Sequence, residues 1–421
     1  MSERPPPRLR QVDRQRVIPT MPLEDLIGSD HQARLVWDFC LGLDLSPLYD
    51  AVGSREGGPG HPAIDPRIHV ALWLYATLEG VGSARALARL CVHHAAFRWV
   101  AGGVSVNHHT LSDFRVGHVE WLDGLLTHSV AVLREQGLVD LNRVAQDGMR
   151  VRASAGAASF HRKATLEEHL EEAREQVARL KEEMDDDPSA PSRRHAAARA
   201  RAARERQQRL EQALARLPEL EAKKKPDERD KARASSTDPE ATVMKMADGG
   251  FRPAYNVHYT AGCGSLVIVG VEVIATGSDM GRLAGMLEQV HGRLDARPGQ
   301  VLADGGFASL DDIEAVQTAP HNATVYAPVP KPKDPERDRH EPLPGDRASV
   351  AAWRQRMKTD EAKEIYKGRA STAECVNAHA RNRGLYRLLV RGLEKVKAVA
   401  LWFAAAHNLA CGIRLRAQAT A

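Results

Sequence analysis

The sequence contains few cysteines, few aromatic residues and no long uninterrupted apolar run. The aromatic share is 5%, and the five cysteines are scattered without a CxxC pair. This distribution argues against a zinc site or a disulfide framework and favours a reducing compartment. The longest apolar run, residues 398–406, is far shorter than the roughly 20 residues of a membrane span. The charged, Pro-rich residues 1–11 are unlike a secretory signal, so we expect a soluble cytoplasmic protein without membrane contact.

The charge of the chain is mildly basic. The formal net charge is +4 and the pI is about 8.8. This excess permits a polyanionic partner without proving one. Arginine outnumbers lysine, and the guanidinium group is the better bidentate phosphate donor, although a GC-rich genome gives the same bias.

The N-terminal third has the pattern of a helical domain. The length of 421 residues suggests two or three domains. We expect a basic arm over residues 1–20 and a helical domain over 21–130, in which Thr110–Asp113 resembles a capping box. Two short helices and a third that carries Arg115 fit a helix-turn-helix unit, with Thr110 and Arg115 as DNA contacts. An ordinary helical bundle is the alternative.

Residues 157–240 read as a helical insertion and linker. Apolar residues at helical spacing predict two long helices, the first rich in Glu and the second with seven Arg between residues 193 and 209. We interpret them as an antiparallel hairpin whose opposite charges pair, and an Arg face that contacts DNA is a compatible alternative. Residues 223–240 are polar and are expected to be mobile.

The segments 136–156 and 241–415 have a mixed α/β pattern. Strands are predicted around Asp147, over 252–261 and 263–275, and over 299–305, where Asp304 ends the strand. A helix is predicted over 279–294, between the third and fourth of these strands. An RNase H-like fold begins with this order of strands and helix. In such a sheet the first strand is central and the strand after the first helix lies beside it. Asp147 and Asp304 would then share one cleft, and Glu374 lies on a later helix.

Three converging carboxylates suit a magnesium site. Mg²⁺ prefers oxygen ligands, typically one or two carboxylates plus substrate phosphate. Two such ions about 4 Å apart activate the attacking oxygen and stabilise the leaving one in phosphodiester chemistry. Carboxylates this close repel each other unless a metal is bound. Glycines beside Asp147 and Asp304 would leave room for a DNA phosphate.

At these residues the chain resembles the DDE-type insertion-sequence transposases, which have an RNase H-like catalytic domain. The first motif is QDGMRVRASA (146–155) and the second is VLADGGFAS (301–309). The third, YKGRASTAECVNAHARNRGLYRLLVRG (366–392), carries Tyr366, Arg369 and Glu374 in the family's order. Residues 251–261 also resemble the family's second strand, and residues 20–120 resemble its helical N-terminal domain.

The resemblance implies a transposase of a bacterial insertion sequence. Asp147, Asp304 and Glu374 would bind two Mg²⁺ or Mn²⁺ ions, while Arg369 and Arg381 contact phosphate and Tyr366 orients the helix or the DNA. The partners would be the terminal inverted repeats, the target DNA and a second copy of the chain, so the protein would be nucleoid-associated when bound to DNA. A nuclease of the same fold that does not join DNA is one alternative, and a catalytically dead or domesticated DNA-binding protein is another.

The chain departs from one branch of the family at two places. A Lys that follows the Glu by seven residues in that branch is Arg381 here, and the gap from Arg369 to Glu374 is one residue longer. The long insertion also replaces a simple turn between the first two core strands.

Overall fold

The computed structural model describes residues 21–54, 62–186, 190–332, 334 and 336–420, without the side chains of residues 184–186 and 190–195. The predicted basic arm, residues 1–20, lies outside the described residues.

Seven helices form the N-terminal region. The first turn of the central helix, α3, is fixed by Asp65, whose carboxylate accepts a hydrogen bond from the Arg67 N–H at 2.8 Å. Helix α6 begins at His108 rather than at Thr110, because the Asn107 side chain caps it by accepting bonds from the N–H groups of His109 and Thr110. The expected capping box at Thr110 is therefore wrong, and α6 ends at Val116, before Gly117. The bounds are α1 Gln32–Leu41, α2 Ser46–Asp50, α3 Pro66–Leu78, α4 Ala84–His93, α5 Ala95–Ala101, α6 His108–Val116 and α7 Val119–Glu135.

A mixed six-stranded sheet forms the centre of the remaining chain. The eight strands are β1 Arg143–Arg152, β2 Phe160–His161, β3 Ala234–Ser235, β4 Thr242–Lys245, β5 Phe251–Gly262, β6 Ile268–Ile274, β7 Gln300–Ala303 and β8 Thr324–Tyr326. The order is β4-β5-β1-β7-β8, and β6 also pairs with β5. Strand β5 runs antiparallel to β1, whereas β7 is parallel to both β1 and β8. The expectation that the strand after the first helix of this part lies beside the first strand is confirmed.

Two long helices, α8 (Lys163–Asp186) and α9 (Ala190–Ala222), pack along each other between β2 and β3 in the chain. Their apolar seam contains Leu166, Leu170 and Ala173 from α8 and Leu210, Ala213 and Leu217 from α9. This pairing of the start of one helix with the end of the other makes the pair antiparallel. Ion pairs join the arms, such as Arg206 to Glu172 at 3.2 Å and Arg199 to Glu183 at 3.3 Å.

The second half of the expected mobile linker, residues 232–240, is packed against the rest of the protein, which corrects the expectation for that part. Strand β3 pairs with β2, and Asp238 is fully buried. The Asp238 carboxylate accepts hydrogen bonds from the Tyr255 hydroxyl at 2.7 Å and the Gly392 N–H at 3.2 Å. These remote partners bind Oδ1 of a carboxylate that the local sequence presents as solvent-exposed.

Six further helices complete the fold: α10 Leu283–Leu294, α11 Leu310–Gln317, α12 Ala348–Arg356, α13 Asp360–Arg369, α14 Cys375–Asn382 and α15 Leu393–Ala419. Helix α15 joins the helical region to the sheet. Its Trp402 indole donates to the Arg115 carbonyl at 3.0 Å, and its Asn408 amide bonds both backbone groups of Ile268 at 2.8 and 2.7 Å. By length and composition α15 could cross a membrane, but 78% of its most apolar window is buried inside the protein, as in a core helix.

Candidate active site

Asp147 lies on β1, and Asp304 directly follows the neighbouring parallel strand β7. The β1–β7 register runs from Arg143 opposite Gln300 to Gln146 opposite Ala303, so one further step sets Asp147 beside Asp304. Only 17% of the Asp147 side chain is exposed. Asp304 also caps the short turn Gly305–Phe307, since its Oδ1 accepts from the Gly306 N–H at 2.8 Å. Asp304 therefore has a local structural role in this turn, which does not exclude a second role.

Arg369 connects the third acid to the first. Its Nη1 lies 3.4 Å from Asp147 Oδ2, and its Nη2 donates to Glu374 Oε1. The guanidinium carbon also lies 5.8 Å from the centre of the Tyr366 ring, within the range of a cation–π contact. The three motif residues of the 366–392 segment thus form one contact chain that ends at Asp147.

A wide helical turn explains the longer gap between Arg369 and Glu374. Residues Ala370–Glu374 form a π-turn between α13 and α14. In a regular α-helix, residues five apart point about 140° away from each other. A π-turn instead brings residues i and i+5 together, and such turns frequently occur at functional sites. The extra residue is absorbed in the turn, and Arg369 still reaches Glu374.

Asn377 is a contact of Asp147 that the sequence reasoning missed. Its side chain is 4% exposed, and its Nδ2 donates to Asp147 Oδ2 at 3.1 Å. It lies three residues after Glu374, hence on the same helical face, and this spacing is the signal that would have found it. The Gly148 N–H donates to Asp147 Oδ1 at 2.8 Å, so both carboxylate oxygens are oriented.

Asp279 is a fourth acid near the site that the sequence reasoning also missed. A Cβ atom at Gly148 would lie 2.5 Å from Asp279 Oδ1 and 2.7 Å from His258 Nε2. Glycine at 148 therefore makes room for Asp279 and His258, which is a different explanation from the predicted room for DNA phosphate. A Cβ at Gly306 would lie 3.0 Å from Asp304 Oδ1 and 3.4 Å from Asp279 Oδ2.

Electrostatics differ sharply between these acids. Burial and then repulsion from Asp304 raise the pKa of Asp147 to about 6, against the opposing charge of Arg369. Burial also acts to raise the pKa of Asp279, but hydrogen bonds from His258 and Asn256 outweigh it and the net shift is downward. Without a metal, Asp147 therefore resists ionisation, whereas the neighbouring Asp279 ionises readily.

The other predicted DNA contacts lie apart from the acids. Arg381 is exposed on α14, and Thr110 is half-buried on α6. Arg115 is only 6% exposed, donates to the Gly82 carbonyl, and lies 4.8 Å above the Trp73 ring. Its guanidinium is therefore used inside the helical region, because α6 turns this face toward α3 rather than toward solvent.

The donor set fits a hard divalent cation by chemistry. Asp147, Asp304 and Glu374 supply only carboxylate oxygens, which is the preference of Mg²⁺ and Mn²⁺. Within the described part of the chain, no three His, Cys, Asp or Glu side chains are arranged as a metal site. At this cluster the positive charge of Arg369 lies between Asp147 and Glu374.

Two segments of the chain match families of known proteins. Residues 22–117 match a family described as a transposase domain (DUF772), and residues 342–411 match a transposase DDE domain. The matches support a DDE-type insertion-sequence transposase. The second matched segment contains Tyr366, Arg369 and Glu374, whereas Asp147 and Asp304 lie outside both segments. DDE transposases typically use divalent metal ions. No curated protein and no solved structure matches the chain.

Proposed function

We propose that this transposase binds the ends of its own element and catalyses divalent-cation-dependent cleavage and strand transfer of DNA. The observation that carries the proposal is that Asp147 of β1 is next to Asp304 at the end of the parallel strand β7, with Glu374 joined to Asp147 through Arg369. The two matched transposase segments support it.

We also propose an RNase H-like catalytic core over residues 136–156 and 241–415. The strand order, with β1 central between antiparallel β5 and parallel β7, supports this assignment. Helices α8 and α9 belong to an insertion over 157–240, and residues 21–130 form the proposed DNA-binding domain. Recognition of the inverted repeats is assigned to that domain, with Thr110 as one contact. Arg115 is left out because its guanidinium is buried.

In this mechanism Asp147, Asp304 and Glu374 would hold the cations, because Asp147 is next to Asp304 in the extended register of the sheet and is linked to Glu374 through Arg369. The bound cations would activate the attacking oxygen and stabilise charge on the leaving oxygen. Asn377 and the Gly148 N–H keep the Asp147 carboxylate in one orientation. Arg369 exchanges its carboxylate partners for a DNA phosphate, since a guanidinium binds either anion in the same bidentate way. Arg381 supplies a second phosphate contact two helical turns beyond Glu374.

The assembly follows from the reaction. Cleavage frees a 3′-hydroxyl at each end of the element, and this hydroxyl then attacks a phosphodiester of target DNA, so two ends must be held together. We propose a homodimer on DNA that works in the bacterial cytoplasm at the nucleoid.

The test uses purified protein with labelled element ends, target DNA and Mg²⁺ or Mn²⁺. We expect 3′-end cleavage and joined product from the wild type. Asp147→Asn, Asp304→Asn and Glu374→Gln should each lower cleavage at least ~100-fold while DNA binding stays intact, because removing one carboxylate weakens cation binding and transition-state stabilisation. Glu361→Gln, an exposed residue on α13, is the matched control and should cleave normally.

Other outcomes would redirect the assignment. Cleavage without joined product would favour the nuclease, and DNA binding without cleavage would favour the DNA-binding protein. Full cleavage by Asp304→Asn would refute the proposed acids.

A further inference from the structure

Asp279 lies in the loop between β6 and α10, close to the segment that carries Asp147 and to the segment that carries Asp304. A Cβ atom added at Gly148, the residue after Asp147, would lie 2.5 Å from Asp279 Oδ1. A Cβ atom added at Gly306, two residues after Asp304, would lie 3.4 Å from Asp279 Oδ2. The same added Cβ atom at Gly306 would lie 3.0 Å from Asp304 Oδ1. The distances of 3.4 and 3.0 Å set an upper limit of 6.4 Å between the Asp279 and Asp304 oxygens.

The carboxylate of Asp279 is held at one oxygen and open at the other. Asn256 Nδ2 and His258 Nε2 bond Oδ1 at 2.6 and 2.9 Å. Both side chains are fully buried, and Glu272 lies 3.6 Å from the far side of the His258 ring. In the part of the chain that the structure describes, Oδ2 has no hydrogen-bond partner, and it faces Gly306 and Asp304.

Asp279 does not have the structural role that its sequence position suggests. An acid just before a helix ordinarily caps it. Here α10 begins only at Leu283, and its first N–H groups, those of Leu283 and Ala284, are bound by Asp312 of α11 at 2.7 and 3.0 Å. Asp279 therefore does not cap α10. The buried side chains of Asn256 and His258 orient its carboxylate toward the other acids instead.

We propose that Asp279 is a fourth acid of the cation site, held by His258 and Asn256 so that its Oδ2 acts on the cation beside Asp304. This inference rests on the proposed function, because it concerns the cation that Asp147, Asp304 and Glu374 would bind. The fixed negative charge strengthens cation binding through Coulomb attraction and makes Asp279 part of the binding site rather than of the scaffold alone.

The test measures binding of Mn²⁺ alone to the full-length, metal-free protein by calorimetry and by the electron paramagnetic resonance signal of free Mn²⁺. Asp279→Asn keeps the shape and the bonds to Oδ1 but removes the charge, so Mn²⁺ should bind roughly tenfold more weakly. Asp295→Asn is the matched control, since that side chain is 98% exposed at the end of α10, and it should bind as the wild type does.

A second pair of variants tests the holding role of His258. His258→Gln keeps a donor for Asp279 and should retain most of the Mn²⁺ affinity, whereas His258→Leu should lose it to about the extent of Asp279→Asn. Circular dichroism establishes that each variant folds. Should Asp279→Asn fail to fold, Asp279→Ser removes the same charge with a smaller side chain.

The outcomes separate this inference from the proposed function. If Asp279→Asn binds Mn²⁺ within twofold of the wild type while Asp304→Asn binds poorly, Asp279 is not part of the site. Equal affinities of His258→Gln and His258→Leu would overturn the holding role. If the wild type binds no Mn²⁺, or Asp304→Asn binds it normally, the proposed function fails and this inference fails with it.

Discussion

The close approach at Gly148 makes a strong prediction about stability without DNA. Substitution by alanine places a methyl group 2.5 Å from Asp279 Oδ1 and 2.7 Å from His258 Nε2 and Cδ2. Ordinary contacts begin near 3.4 Å, so both side chains must move by about 1 Å. His258 is fully buried and held between Glu272 and Asp279, so it has little freedom to move.

Overpacking of this kind costs about 2 kcal/mol. In a domain of this size the loss lowers the melting temperature by roughly 4–8 °C, which differential scanning calorimetry of the metal-free, DNA-free protein measures directly. Gly285→Ala on α10 is the matched control. Nothing lies within 4 Å of the added methyl group there, so that variant should melt at or slightly above the wild-type temperature.

The rival explanation of Gly148, room for a DNA phosphate, gives a different result. It predicts that Gly148→Ala melts as the wild type does and loses only DNA-dependent activity. An unchanged melting temperature would therefore refute the reasoning from the Asp279 contact.

Two further predictions concern the π-turn and a buried histidine. Deleting Ser371, an exposed residue of the turn, should join α13 and α14 into one regular helix in which Arg369 and the Glu are four apart, so melting temperature and cleavage should stay near wild type. Deleting Ala378 from the regular helix α14 is the control and should lower both, because it rotates buried Ala380 out of the core. Burial lowers the pKa of His407 from 6.5 to about 4, so its neutral form stabilises the fold above pH 6.5 and that stabilisation is lost as the pH falls toward 4. Urea unfolding of the wild type should lose about 3 kcal/mol more between pH 7 and pH 4 than unfolding of His407→Asn, and parallel pH profiles would contradict this.

Local sequence patterns predicted the parts of the site that depend on strand order. A buried β pattern around Asp147 and another that ends at Asp304 were enough to expect neighbouring strands, because a central first strand and a crossover helix leave few arrangements. Once these two strands are paired in the observed register, the two acids are next to each other without any further contact being needed.

The parts that were missed depend on contacts between residues distant in sequence. Asp279 was included in the helix predicted over 279–294, but α10 begins at Leu283, where its first N–H groups bond the Asp312 carboxylate of α11, 28 and 29 residues away in sequence. Arg115 looked exposed because its own helix does not reveal which face packs against α3. Asp238 looked solvated until the Tyr255 hydroxyl and the start of α15 supplied its partners.

The bonds of helix α15 also constrain how the chain is made. The Trp402 indole and its acceptor, the Arg115 carbonyl, are 287 residues apart in sequence. A ribosome that adds roughly 5–20 residues per second needs about 15–60 s to make the intervening chain. During that time the apolar faces that α15 later covers on α6 and α7 stay without their partner. A nascent chain of this protein therefore offers chaperones a binding surface until its last helix has emerged, and a chain that stops before α15 keeps that surface permanently.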